Sequence, residues 1–280
     1  MFSRLLMFPF GLAAGFSLYM MAFNQNFFYA DILIGSILVI AGLFMVENQI
    51  NLWWAKKNPP KTDPALKNFL YNYIPFYRGL PVPMRTEFER RLDIAESRIE
   101  VYSKTEKDLS DDVKILSCIY LTILDFNQRL GLEKKFNHIV LYGHPFLSPE
   151  RMENVHVSEF NKEDGVFIYS LEHLQLGFRS TQFFNIALYE AANAFLTLYK
   201  EREKIDILCD DRPKIYGLGI WSENELAAFC GELPDILPSV LIHNFFIFPE
   251  KVKELYPEAY SALVDIFGDY HVLSNKPMLI

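Results

Sequence analysis

The sequence predicts an α+β fold in which helices dominate, preceded by a two-helix transmembrane hairpin. Three observations carry this. The first sixty residues hold only Arg4, Asp31, Glu47, Lys56 and Lys57 as charged side chains. Beyond them, apolar residues recur at helical spacing through several long segments. Two short runs rich in β-branched and aromatic residues, 138–142 and 166–170, read as strands.

Two apolar runs, at about 5–23 and 27–46, are each close to the roughly 20 residues needed to cross the hydrocarbon of a bilayer. Asn24-Gln25-Asn26 interrupts them. Neither run has a polar face, which disfavours a buried hairpin of a soluble protein. A cleaved signal peptide, for which Ala13-Ala14-Gly15 offers a site, leaves the second run unexplained. Residues 1–55 therefore read as a hairpin in an inner or plasma membrane, with the lipid bilayer as its partner. Arg4 precedes the first span, the turn has no basic residue, and Lys56, Lys57 and Lys61 follow the second. Both termini and the soluble domain are thus expected on the cytoplasmic side. Trp53 and Trp54 suit an interfacial anchor. Gly11, Ala13, Ala14, Gly15 and Ser17 offer a small-residue face for packing with other spans.

The proline-rich stretch from Asn58 to Pro64 ends the hairpin, because proline removes a donor and disfavours helix in the residue before it. Residues 56–72 read as a linker and 73–280 as one soluble domain. Within it, Phe88, Leu92, Ala95 and Ile99 mark an amphipathic helix over 85–102. Ser110-Asp111-Asp112 opens a buried helix over 113–130 that stops at Gly131. A wide apolar stripe, Phe184, Ala187, Leu188, Ala191, Ala194 and Leu198, predicts a central helix over 182–200. Residues 201–220 read as a charged connection, followed by helices at 222–231, 237–246 and 249–268.

Composition excludes several functions. The net charge is −8, and acidic side chains outnumber basic ones beyond the hairpin, which makes the domain a poor partner for nucleic acid. The 13 glycines form neither GxGxxG nor GxxxxGK[ST], so no nucleotide is expected. Cys118, Cys209 and Cys230 are odd in number, lack CxxC spacing and read as small core residues of a reducing compartment. No nucleophile elbow is present. His138 and His144 bracket a strand, and His156, His173 and His271 fall on expected loops or ends.

An ordered set of segments carries more information. Ile74-Pro75-Phe76-Tyr77-Arg78-Gly79-Leu80-Pro81 precedes the first amphipathic helix, and Leu109-Ser110-Asp111-Asp112-Val113 leads into the buried one. Ile139-Val140-Leu141-Tyr142-Gly143-His144-Pro145-Phe146 follows, then Asn185-Ile186-Ala187-Leu188-Tyr189-Glu190-Ala191-Ala192-Asn193, then Val240 to Pro249 with its Phe245-Phe246 pair. Over most of 73–271 this order resembles the Mlc titration factor A family, zinc metallopeptidases linked to glucose regulation. The resemblance implies a zincin-like metallopeptidase fold. It also places the degenerate sequence YEAAN where the family has HExxH.

In an HExxH helix the two histidines lie one turn apart on one face and share a zinc ion, while the glutamate acts as general base toward metal-bound water. Glu190 keeps the glutamate. Tyr189 and Asn193 replace the histidines, and His243 stands where the resemblance implies a third, glutamate ligand. Phenol and amide are poor zinc ligands, so no zinc or other cofactor is expected. A direct hydrogen bond between Glu190 and His243 is expected to fill the vacated space. Leu196 is a further departure, at a position where the family has an aspartate. The expected protein is a membrane-anchored pseudoenzyme that binds a protein or peptide partner without cutting it. Two alternatives stand beside it: a peptidase with an unusual or metal-free site built on Tyr189, Glu190 and His243, and a structural protein that assembles through its spans.

Overall fold

The computed structural model describes residues 2–24, 28–47, 49–50, 53–54, 63–105, 109–148 and 151–269. Chain contacts divide it into two units, residues 1–61 and 62–280.

The first unit is a pair of helices, α1 (Phe2–Asn24) and α2 (Phe28–Met45), packed against each other. Both are long and apolar enough to cross a membrane. Ser17 and Ser36 are buried between them. Ser3 Oγ donates to Glu47 Oε1 at 2.9 Å, and Arg4 Nε lies 3.6 Å from the same oxygen, which ties the start of α1 to the residue just past the end of α2. A Cβ added at Gly11, Gly15, Gly35 or Gly42 would meet nothing within 4 Å. The expected turn at 25–26 and the lysines at 56, 57 and 61 lie outside the described residues.

The second unit begins with α3 (Pro64–Tyr73), α4 (Pro75–Gly79) and α5 (Val82–Arg98). The linker expected over 56–72 is therefore shorter. Asp63 accepts from the Ala65 N–H, Pro64 occupies the first turn, where a missing donor costs nothing, and Leu70 is fully buried. The helix expected to run to 102 stops at Arg98, and Glu100–Ser103 is strand β1. The reason is lateral pairing: β1 runs parallel to β2 (His138–Tyr142), a tertiary contact that helical periodicity does not register.

Between these strands lie α6 (Asp111–Gln128) and the short α7 (Leu132–Lys135). After β2 come β3 (Phe146–Ser148) and β4 (Arg151–His156), which form their own antiparallel ribbon, then β5 (Ser158–Asn161) and β6 (Val166–Ser170). The main sheet has the order β1-β2-β6-β5, with the first three strands parallel and β5 antiparallel at the edge. Alternation puts Ile139, Leu141, Phe167 and Tyr169 on the buried face.

The chain then forms α8 (Leu171–Arg179), α9 (Ile186–Leu198), α10 (Glu203–Asp206), a 3-10 turn at Ile207–Cys209, α11 (Arg212–Gly217), α12 (Glu223–Cys230), α13 (Leu237–Ile247), α14 (Pro249–Leu255) and α15 (Pro257–Phe267). The connection expected over 201–220 is thus largely helical. Pro257 divides the helix expected over 249–268, since its ring cannot continue the turn before it. The order of elements makes this unit α+β with helices in the majority. Phe76, Phe88 and Phe126, with ring centroids 5.7 to 5.8 Å apart, form an aromatic core that extends through Phe246 to Phe267.

Candidate functional site

Helix α9 is the centre of the second unit, packed on α6, α13 and the edge strand β5. It starts at Ile186 and not at 182 because Asn185 caps it, with Oδ1 accepting from the Leu188 N–H at 3.0 Å. The cap is itself anchored. Asn185 Nδ2 donates to the Tyr120 hydroxyl at 2.6 Å and to the Gly177 carbonyl at 3.0 Å. A Cβ at Gly177 would lie 2.9 Å from Asn185 Cα and from the Phe184 carbonyl oxygen, so α8 approaches this closely only with glycine there.

Helical spacing brings Tyr189, Glu190 and Asn193 to one cleft of about 250 Å³, bounded by β5 and by the segment from Glu232 to Ile236. Glu190 is only 5% exposed. Its Oε1 accepts from Ser158 Oγ at 2.8 Å, and its Oε2 accepts from Asn193 Nδ2 at 2.7 Å. The Tyr189 hydroxyl accepts the Ile236 N–H at 3.4 Å. Burial, reinforced by the charge of Glu190, drives the Tyr189 phenol far above its ordinary range, so it stays neutral.

His243 lies elsewhere. It does not line the cleft, and both ring nitrogens are engaged by other groups: Nε2 accepts the Asn185 N–H at 3.1 Å, and Nδ1 meets Asn244 Oδ1 at 3.2 Å. Asn244 is oriented by its own donation to the Ile215 carbonyl, so the imidazole proton belongs on Nδ1. The Phe184 ring stacks on His243 at 4.2 Å and touches Tyr189 at 5.6 Å, standing between the two. Burial pulls the His243 pKa down to about 3, leaving the ring neutral. The expected hydrogen bond from Glu190 to His243 is not formed. Helix α13 delivers position 243 to the cap of α9, one turn before Tyr189.

The donors at this site do not fit a zinc ion. At the three motif positions, 189, 190 and 193, a neutral phenol, a carboxylate and an amide whose nitrogen is committed to that carboxylate supply no soft or imidazole ligand. Among the described residues, no group of three or more His, Cys, Asp and Glu side chains is placed to hold a metal. No family model matches this chain, and no curated protein or solved structure matches it significantly.

Sequence reasoning missed most of the cleft wall. Ser158 and Phe160 belong to β5, which lacked a predicted strand, and Lys162, Thr197, Arg202 and Asp235 enter from loops and helix ends. One signal was available: Asp164-Gly165 precedes β6 as a hairpin turn would, with Gly165 at φ 69°, and so implies a strand before it. His156 also differs from its expected loop position. It lies on β4, buried, with Nε2 3.0 Å from Glu159 Oε2. His173 falls on α8, and His271 lies outside the described residues. Cys118 and Cys230 are buried as expected, while Cys209 is half-buried; burial raises the Cys118 and Cys209 thiols to about 12. Burial likewise raises the Cys230 thiol, which keeps this cleft residue unreactive.

Proposed function

We propose that this protein is a membrane-anchored, metallopeptidase-like pseudopeptidase whose cleft holds an extended peptide or protein segment without cutting it. The observation that carries the reading is the fate of Glu190. At the general-base position of the resembled motif, its carboxylate is taken up by Ser158 and Asn193, while a phenol and an amide stand at the ligand positions. With no ligands to hold a zinc-bound water, Glu190 has nothing to deprotonate. Strand β5 ends the sheet beside it, and an edge strand offers main-chain groups to which an extended segment can pair. Anchoring rests on α1 and α2, whose length and apolar composition suit a bilayer.

The test uses the full chain in lipid nanodiscs, incubated with a library of extended peptides with and without added zinc. Binding is read by retention and cleavage by mass spectrometry. Retention of intact peptides is the expected result. Cleavage products that disappear in Glu190→Gln would establish a peptidase and end the pseudopeptidase reading.

A second reading, assembly with other spans, is favoured by the open space around Gly11, Gly15, Gly35 and Gly42. Cross-linked oligomers that vanish when Gly11 and Gly15 are replaced by leucine would support it.

A further inference from the structure

The hydrogen-bond inventory of the cleft is lopsided. Asn193 presents its amide nitrogen to Glu190 Oε2, which sets the orientation of the amide. Its carbonyl oxygen Oδ1 is then left buried with no donor. Asn193 is 8% exposed and lines the cleft, where an orphaned carbonyl is costly. A second carboxylate stands at the same end: Asp235 lines the cleft next to Ile236, whose N–H meets Tyr189, and its charge is felt at the Tyr189 hydroxyl. The cations of the lining, Lys162 and Arg202, include none from this stretch. Arg202 lies past the C-terminal end of α9, paired with Asp206 at 3.2 Å.

We propose that the Tyr189 end of the cleft is a cation subsite, which takes the ammonium of a lysine or the guanidinium of an arginine from the bound segment. One N–H of that group donates to Asn193 Oδ1, and Glu190 and Asp235 offset its charge. The inference rests on reading the cleft as a peptide groove and adds the chemistry of the residue it selects. Ligands lacking an N–H or O–H donor leave Oδ1 unsatisfied, and neutral donors leave Glu190 and Asp235 without a counter-charge, which together set the preference.

The experiment measures, by fluorescence anisotropy on the full chain in nanodiscs, the binding of four labelled peptides. They share an alanine-rich extended sequence and differ at one central position, which is lysine, arginine, norleucine or citrulline. Lysine and arginine are expected to bind at least about tenfold tighter than norleucine and citrulline. Glu190→Gln and Asn193→Leu, each checked for native folding by circular dichroism, should shrink that ratio to below about threefold. Glu190→Gln keeps the volume and hydrogen-bonding shape of the site should the leucine variant not fold. Equal affinities for all four peptides would overturn the cation subsite and leave the peptide groove standing. Failure of every peptide to bind would overturn both.

Discussion

The imidazole of His243 accepts the backbone N–H of Asn185 at 3.1 Å, tying helix α13 to the cap of α9 through a group that must stay neutral to do so. Burial holds the ring pKa near 3, below that of an unfolded histidine at roughly 6.5. Between these values the unfolded chain binds a proton that the folded chain refuses. The stability from this group is full above about pH 6.5 and falls as pH drops toward 3, by roughly 1.4 kcal/mol per pH unit. Denaturant unfolding of the wild type and His243→Gln across this window should show a shallower slope for the variant, by about one proton. Identical slopes would mean that His243 is protonated in the fold.

Asp93, on α5, gives the opposite sign. Desolvation, aided by Glu96 and Glu89 and opposed by Lys67, raises its pKa to about 6, and its Oδ2 has no hydrogen-bond partner. Its contribution is present below about pH 4 and is lost as pH rises through 6. Asp93→Asn should therefore melt higher than the wild type at pH 7 and match it below pH 4. A variant that melts lower at pH 7 would contradict this.

Gly231 ends α12 with φ 84°, and a Cβ there would sit 1.9 Å from the Val155 carbonyl oxygen. Backbone cannot yield as a side-chain tip does, so Gly231→Ala must displace the β4–β5 corner. A loss of more than about 2 kcal/mol is expected, combining strain at positive φ with the clash. Thermal unfolding is the readout, and a neutral substitution would place the glycine in a different conformation.

Tyr189→His with Asn193→His tests whether α9 descends from a metal-binding helix. Both positions open on the same cleft with Glu190 between them, so the pair should acquire zinc with an affinity typical of few protein ligands. Adding His243→Glu should tighten it little, because Phe184 stands between that position and Tyr189. Calorimetry distinguishes the cases. A folded double variant that takes up no zinc would remove the resemblance to HExxH as an argument.

Orientation is tested by replacing Gln25 or Ile280 with cysteine and adding an impermeant maleimide to intact cells. Position 25 should label from outside, and position 280 only after permeabilisation, as the distribution of basic residues requires. The reverse pattern would invert the topology.

The sequence by itself determined what depends on local composition and period. The apolar runs, the start of α6 with its two acidic residues, the strand pair β2 and β6, and the stripe of α9 are all read from neighbours along the chain, although Ser110 makes no side-chain cap hydrogen bond. It also brought Tyr189, Glu190 and Asn193 together, since three and four residues make one turn of helix. Tertiary structure alone decided the rest. Strand β1 exists because β2 lies beside it, β5 turns back along β6, and α3 buries Leu70 in a stretch whose prolines suggested a linker. It also decided the fate of His243. Whether α13 delivers that ring to Glu190 or to the Asn185 N–H depends on how two helices 58 residues apart cross, and the packing of Phe184 between Tyr189 and His243 resolves it toward the cap.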